Sequence, residues 1–402
     1  MDLHSGTPYW IVKNKLYDYY NPLQESIKTD VVIIGSGITG SLVAHELSNA
    51  GIQCTMIDKR TLATGSSAAS TSQLQYEIDV PLVDLIQTIG EEKAIKAYHD
   101  CLHSINDIKK VFEKIDFNPD FSQVPTHFIA SNSMGLDLLE REYKVRKQAG
   151  LPVHFLDDKL LNTNLGISKL GALYNETSAQ MDSYKGAVSL IKYHKKNSNL
   201  KVYTHTCIEK RQKTSNGFEL LTSSGHKISC SYLIIAAGFE AGSYIPKKSM
   251  KLLSTYALIS QPLNAEKLWK NKSLIWETQN PYLYMRTTAD NRIIVGGEDM
   301  DMKNPVKRDA MMRTKIKCLE DKFKDLFPQI PLITDMSWCG TFSSTPTGLP
   351  ILGSDPRDKN LFFALGYGGN GITFSMIGAQ MIRNAFLGIK DDRENLYKLS
   401  IN

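Results

Sequence analysis

An apolar run that stops abruptly on a glycine-rich turn constrains this chain more than any other feature. Asp30-Val31-Val32-Ile33-Ile34 leads straight into Gly35-Ser36-Gly37-Ile38-Thr39-Gly40. A nearly unbroken β-branched run reads as a strand covered on both faces of a parallel sheet. Ile38, Leu42, Ala44 and Leu47 then recur at helical spacing, and Gly51 is suited to the left-handed position after a helix. Cys54-Thr55-Met56-Ile57 predicts a second strand, which completes one βαβ unit of about thirty residues. Gly-x-Gly-x-x-Gly alone is a weak signal. Here a strand precedes it, a helix follows, and Asp58 falls about twenty positions on. Gly35 permits the tight turn, Gly37 lets the backbone approach a pyrophosphate, and Gly40 brings helix against sheet. The helix N-terminus offers N–H groups to phosphate, and Asp58, followed by Lys59, is placed to accept from ribose hydroxyls. The competing reading is a glycine turn in a purely structural unit.

Three further segments favour a flavin dinucleotide over a nicotinamide one, the plainer alternatives being an exposed flexible loop, an ordinary core strand and a glycine-rich helix cap. Thr64-Gly65-Ser66-Ser67-Ala68-Ala69-Ser70-Thr71-Ser72, with Gln73 after it, is a run of small, mostly hydroxyl residues. Such a run suits a loop pressed against the pyrophosphate and ribityl chain of a long cofactor. Tyr232-Leu233-Ile234-Ile235-Ala236-Ala237-Gly238 predicts a late strand that returns to the same sheet. Gly366-Tyr367-Gly368-Gly369-Asn370-Gly371-Ile372-Thr373 stands at a strand-to-helix junction. Its N–H groups and helix dipole could stabilise negative charge on the N1–C2=O edge of a reduced flavin, and a nicotinamide ring has no such locus.

The rest of the chain bounds the function class. Its 402 residues allow two domains, or one with a large insertion. The net charge of +5 is diffuse, with no basic stripe, which argues against nucleic-acid binding. The six cysteines form no CxxC pair or zinc spacing and read as reduced thiols of a cytoplasmic protein. Neither a signal peptide nor a membrane-length apolar run is apparent. The pattern from 81 to 117 predicts helix, Asn216-Gly217 a hairpin, and 310–327 an amphipathic helix.

On these residues the chain resembles the D-amino-acid oxidase, glycine oxidase and sarcosine oxidase superfamily of FAD-dependent oxidoreductases. The resemblance runs from about 31 to 387 and rests on the early fingerprint, Asp58, Ala236-Ala237-Gly238, Trp338-x-Gly340, Thr345-Pro346-x-Gly348-Leu349-Pro350 and the closing glycine segment. It is strongest to a bacterial branch with Leu74-Gln75-Tyr76-Glu77-Ile78-Asp79. The resemblance implies an α/β chain: a Rossmann-like FAD domain of glutathione-reductase type interleaved with a substrate domain on a mixed, largely antiparallel sheet. The expected partition is 28–95, 178–245 and 335–402 for FAD, 96–177 and 246–334 for substrate, and 1–27 as an N-terminal extension. Ile208 looks like the position whose backbone meets the adenine. The implied reaction passes a hydride from the carbon beside an amine or amino-acid nitrogen, including D- and N-substituted ones, to flavin N5. Water then hydrolyses the imine, and dioxygen or another acceptor takes the electrons.

Two departures limit the carry-over. Thr341-Phe342-Ser343-Ser344 stands where glycine oxidase-like members hold the substrate carboxylate with an Arg. Cys339 is about one residue out of register with the cysteine of covalent members, so non-covalent FAD is expected. Tyr282, Tyr284 and Arg286 share one strand face, with Tyr282 matching the substrate-facing Tyr of the family; Arg286 or Arg292 is the expected replacement carboxylate clamp. Glu77 and Asp79 could meet an ammonium, but read more readily as caps for the helix near Pro81. His99 and His103 read as a solvated stripe, not metal ligands, and Tyr143 with Lys147 as a coincidental pair. An NAD-dependent dehydrogenase and a non-catalytic FAD-binding protein are the competing functions.

Overall fold

The strand Ile27–Ile34 lies inside an eight-stranded sheet, with Cys54–Ile57 and Lys227–Ile235 parallel on either side of it. The computed structural model describes residues 2–16, 19–197 and 199–400. Leu200–Tyr203 extends the sheet beyond Cys54–Ile57, and Asp358–Leu365 joins it beside the end of Lys227–Ile235. Val31, Val32 and Ile33 are all buried because both faces are covered. Val31 and Ile33 pack with helices Ile38–Asn49, Ser183–Lys196 and Gly371–Phe386. Val32 packs the opposite way, against Phe218, Leu220 and Phe363. This double covering is why the run reads as continuous rather than alternating.

A second sheet of nine strands runs in the order His4–Gly6, Thr334–Ser344, Lys251–Ser260, Ile293–Met300, Leu283–Thr287, Leu274–Glu277, Thr126–Ile129, Gly171–Asn175 and His154–Asp157. Only the pairing of Leu274–Glu277 with Thr126–Ile129 is parallel, so the sheet is mixed and largely antiparallel, as expected. Helix Pro305–Leu326 covers one face, where Leu319 and Phe323 meet Leu258, Met285 and Val295. The other face looks toward the glycine-rich turns of the first sheet.

Several sequence expectations shift in detail. The 81–117 helix divides into Leu82–Ile89 and Glu91–Lys114, because Gly90 adopts φ +88 and ends the first of them. The helix expected over 310–327 starts earlier, at Pro305, where Asn304 accepts from the Lys307 N–H at 3.2 Å. The boundary drawn at 335 falls in the strand Thr334–Ser344, which belongs to the second sheet. Nor is 1–27 an appendage. His4–Gly6 pairs with Thr334–Ser344, and Tyr9 and Trp10 of the helix Tyr9–Asn14 join the main core. Among the described residues, no helix is long and apolar enough to cross a membrane.

Candidate active site

The first glycine turn is built as tightly as its spacing requires. Gly35 has φ +111, and a Cβ on Gly40 would lie 2.0 Å from the Gly35 carbonyl oxygen, so neither position admits a side chain. Asp58 ties the turn to the second strand. Its Oδ2 accepts from both the backbone N–H and the hydroxyl of Ser36 at 2.7 Å, and its Oδ1 accepts from the Arg60 N–H at 2.8 Å. Lys59 and Arg60 pair with Glu240 at 2.6 and 2.7 Å. Burial works against the Glu240 charge, but the hydrogen bonds from Arg60 and Lys59 prevail and hold its carboxyl at about 2.

The hydroxyl-rich loop lies across this turn, and the Ser67 hydroxyl accepts from the Ile38 N–H at 2.9 Å. Its carbonyls are held from behind. Trp338 Nε1 donates to Ala69 O at 2.8 Å, and Trp10 Nε1 donates to Ser70 O at 2.7 Å. Arg286 Nη1 donates to Thr71 O, Ser72 O and Met181 O at 2.8–3.0 Å. Arg286 is therefore a buried strut of the loop; it does not line the cavity that Tyr282 and Tyr284 share. Burial pulls its guanidinium down to about 10, against the nearby Asp182 and Asp120. Arg292 is likewise turned away, paired with Asp290 and Asp335. Period-two spacing placed Arg286 on the correct face, but the long side chain ends under the loop instead of in the cavity.

Glu77 and Asp79 correct the sequence reading in the opposite sense. The first N–H groups of the helix Leu82–Ile89 are capped by Glu142, at 2.8 Å for Leu82 and 3.0 Å for Val83. Glu77 and Asp79 face the cavity instead. Asp79 Oδ2 accepts from the Gly369 N–H at 2.6 Å, and a Cβ on Gly369 would fall 2.3 Å from Asp79 Oδ1. The glycine segment is thus fitted to a carboxylate of its own chain, and the helix Gly371–Phe386 starts beside it without a side-chain cap on its first turn. Asp79 is open to the cavity, where loss of solvent to the surrounding protein raises its carboxyl and the Gly369 N–H opposes the rise. Glu77 is fully enclosed; burial raises it too, and Arg146 opposes that rise from 3.5 Å.

One cavity of about 420 Å³ joins these parts, within the range of small-molecule sites. Every expected cofactor residue lines it except Ser36, Gly40 and Thr373, which shape the turn and the helix cap from behind. Asp58, Lys59 and Ile208 line it from the side of the eight-stranded sheet, while Tyr282, Tyr284, Trp276, Phe342 and Asp299 line it from the side of the nine-stranded sheet. Asp299 escaped the sequence reading. It arrives through a β-bulge in which Glu298 and Asp299 stand opposite Thr255 alone, with Glu298 at φ +58. The available signal was Gly296-Gly297 inside a strand, a mark of close approach. The Tyr284 ring occupies the space a Gly296 Cβ would take, 2.4 Å away. Burial pushes the Asp299 carboxyl up to about 6, with Asp79 and Glu298 adding to the rise. Trp276, stacked on Phe128 at 3.7 Å, also went unnoticed.

The cavity fits a long dinucleotide with a polar ring. Besides the glycine cradle, the buried side-chain atoms Gln73 Oε1 and Nε2, Gln75 Nε2 and Trp276 Nε1 have no partner within the chain, and all three residues line it. His99, by contrast, bonds Ala149 O at 2.8 Å, and Lys147 reaches the Tyr143 hydroxyl at 3.2 Å on the surface. No cluster of metal ligands occurs among the described residues.

Residues 30–385 match the family described as FAD dependent oxidoreductase, and the chain belongs to that family. FAD is its cofactor, and the protein is an oxidoreductase. It is 23% identical to the probable oxidoreductase OrdL of Haemophilus influenzae, covering 98% of this chain and 91% of that protein. It is 24% identical to the gamma-glutamylputrescine oxidoreductase of Escherichia coli, covering 96% and 90%. The crystal structure of glycine oxidase from Geobacillus kaustophilus superposes with a TM-score of 0.78 at 20% identity, over 93% of this chain and 99% of that one. This likeness supports the fold described above.

Proposed function

We propose that this flavoenzyme oxidises a carbon–nitrogen bond of an amine or amino acid, with FAD held non-covalently along the 35–40 turn, the 64–73 loop and the 369–373 helix start. The observation that carries the reading is the side of the cavity lined by the nine-stranded sheet. There, unpartnered polar side chains and aromatic walls meet beside the glycine segment that opens the helix Gly371–Phe386. Sequence relatives point the same way: the gamma-glutamylputrescine oxidoreductase above, and a glycine oxidase of Geobacillus kaustophilus that is 23% identical over 380 residues.

Bound flavin supplies an acceptor for the hydride leaving the carbon beside nitrogen. The chain's contribution is positioning. Tyr282, Tyr284, Trp276 and Phe342 wall the substrate end with rings and restrict water there, so a small molecule is held in few orientations. No side chain need form a covalent bond. Cys339 points to the opposite face of its strand, where its Sγ lies 3.3 Å from Asp309 and the residue packs beneath the helix Pro305–Leu326. We assign the eight-stranded sheet to FAD and the nine-stranded sheet to substrate.

The test is anaerobic mixing of the holoprotein with a panel of amines, D- and L-amino acids and N-methyl amino acids. Loss of the visible flavin absorbance with at least one member is expected, with recovery on adding dioxygen or an artificial acceptor. Failure of every member, in protein whose flavin dithionite still reduces, would overturn the reading.

A further inference from the structure

The substrate end of the cavity is negatively charged in a way the chain itself does not balance. Glu77, Asp79 and Asp299 reach it from separate parts of the sequence. Glu77 has Arg146 at 3.5 Å, yet its Oε2 is buried without a partner and the residue is only 4% exposed. Asp79 has the Gly369 N–H but no cation. Asp299 Oδ1 is buried without a partner, and the one group that hydrogen-bonds the side chain is the neutral Thr255 hydroxyl. The neighbouring Glu298 points away and pairs with both Lys315 and Lys322 at 2.7 Å, so Lys315 acts on Asp299 only as a charge at longer range.

Among the described residues, no basic side chain forms an ion pair with Asp79 or Asp299. The basic side chains lining the cavity are Lys59 and Arg60, both held by Glu240 at the nucleotide end. The guanidinium of Arg286 is committed to loop carbonyls; that of Arg146 stands outside the cavity lining, its Nε on Glu142 at 2.7 Å and its Nη1 3.5 Å from Glu77, with both Nη atoms lacking a hydrogen bond. A carboxylate entering here would meet like charge and no bidentate donor. An ammonium would meet two unneutralised carboxylates inside a wall of Tyr282, Tyr284, Trp276 and Phe342, rings whose faces attract cations. Trp276, 9% exposed, adds an unpartnered Nε1 donor to the same wall.

We infer that this site takes a cationic amine with no carboxylate on its reacting carbon, and that Asp299 anchors its ammonium and takes one proton from it before the hydride leaves the neighbouring carbon. The inference rests on the proposed amine oxidation and narrows it from amino compounds at large to amines. The β-bulge that aims Asp299 inward is the device that creates the preference.

The test compares substrates that differ by one carboxylate: butylamine against L- and D-norvaline, and phenethylamine against L- and D-phenylalanine. In anaerobic flavin reduction the amine of each pair is expected to exceed its carboxylated counterparts by about tenfold or more in kcat/KM, the factor set by about 1.4 kcal/mol. Asp299→Asn should weaken the amine by a similar factor and narrow the ratio, while Asp299→Glu restores part of it. Equal or faster reduction by the amino acids, or an unchanged ratio in Asp299→Asn, would overturn the inference. A second arm needs no turnover: benzyltrimethylammonium should perturb the oxidised flavin spectrum at concentrations where benzoate does not. Perturbation by benzoate instead, or by neither, would overturn it as well. If no compound reduces the flavin, the proposed reaction fails, and the spectral arm still decides the charge preference.

Discussion

Replacing Asp299 with asparagine should stabilise the ligand-free protein at neutral pH even as it damages amine binding. The carboxylate is buried with Oδ1 unpartnered, and its pKa is raised from 3.8 to about 6. The groups facing it are the Thr255 hydroxyl from the adjacent strand, Tyr282 and Tyr284 from another, Asp79 across the cavity, Glu298 beside it and Lys315 from the covering helix. A folded-state pKa above the unfolded one contributes stability that is full below about 3.8 and lost as pH rises through about 6. Above that the native protein carries the whole penalty, and the amide carries none. A rise of about two units at about 1.4 kcal/mol each sets the difference on the order of 2–3 kcal/mol at pH 8. Urea titrations of both apoproteins at pH 5, 6, 7 and 8 would measure it. The variant's advantage should grow from pH 5 to pH 8. A variant less stable at pH 8, or an advantage that does not vary with pH, would refute the view of Asp299 as a strained charge awaiting a cation.

Other consequences can be checked separately. Gly37→Ala adds a methyl group that meets only the Ser67 hydroxyl at 2.9 Å. The apoprotein should therefore fold, while its FAD dissociation constant rises by about tenfold or more in a fluorescence titration, since the backbone can no longer approach a pyrophosphate. Trp10→Ala removes a buried ring and the bond to Ser70 O, and should cost about 3–5 kcal/mol in urea unfolding and speed FAD release. His45 and His194 are buried against each other at 2.9 Å, and burial lowers both, to about 3 and about 4. Folded-state values below the unfolded one mean stability that is present above about 6.5 and lost as pH falls toward 4. Replacing both with asparagine should flatten that acid limb in melting curves recorded from pH 7 to 4.

What the sequence disclosed was local. The helix Ile38–Asn49 was legible to the residue because its start, apolar spacing and terminal glycine lie in one short stretch. The Asn216-Gly217 turn between Ile208–Thr214 and Gly217–Thr222 was legible for the same reason. Residues whose roles depend on reach across the fold were not. Arg286 was assigned to the cavity because alternation reports a face, not where a long side chain ends. Glu77 and Asp79 were read as caps because the true cap, Glu142, lies some sixty residues away in sequence. Asp299 depends on a bulge that no composition announces, and only the paired glycines before it hinted that something crowded that strand. The N-terminal segment was read as an extension because its ties, the pairing of His4–Gly6 and the Trp10 bond to Ser70 O, are to residues far away in sequence.

The most direct measurement is the absorption spectrum of the purified protein before and after anaerobic addition of a simple amine. A two-banded flavin spectrum, released as free FAD on denaturation and bleached by the amine, is the expected result. A colourless protein whose apoprotein takes up no FAD, or a flavin that dithionite bleaches but no amine or amino acid does, would contradict it.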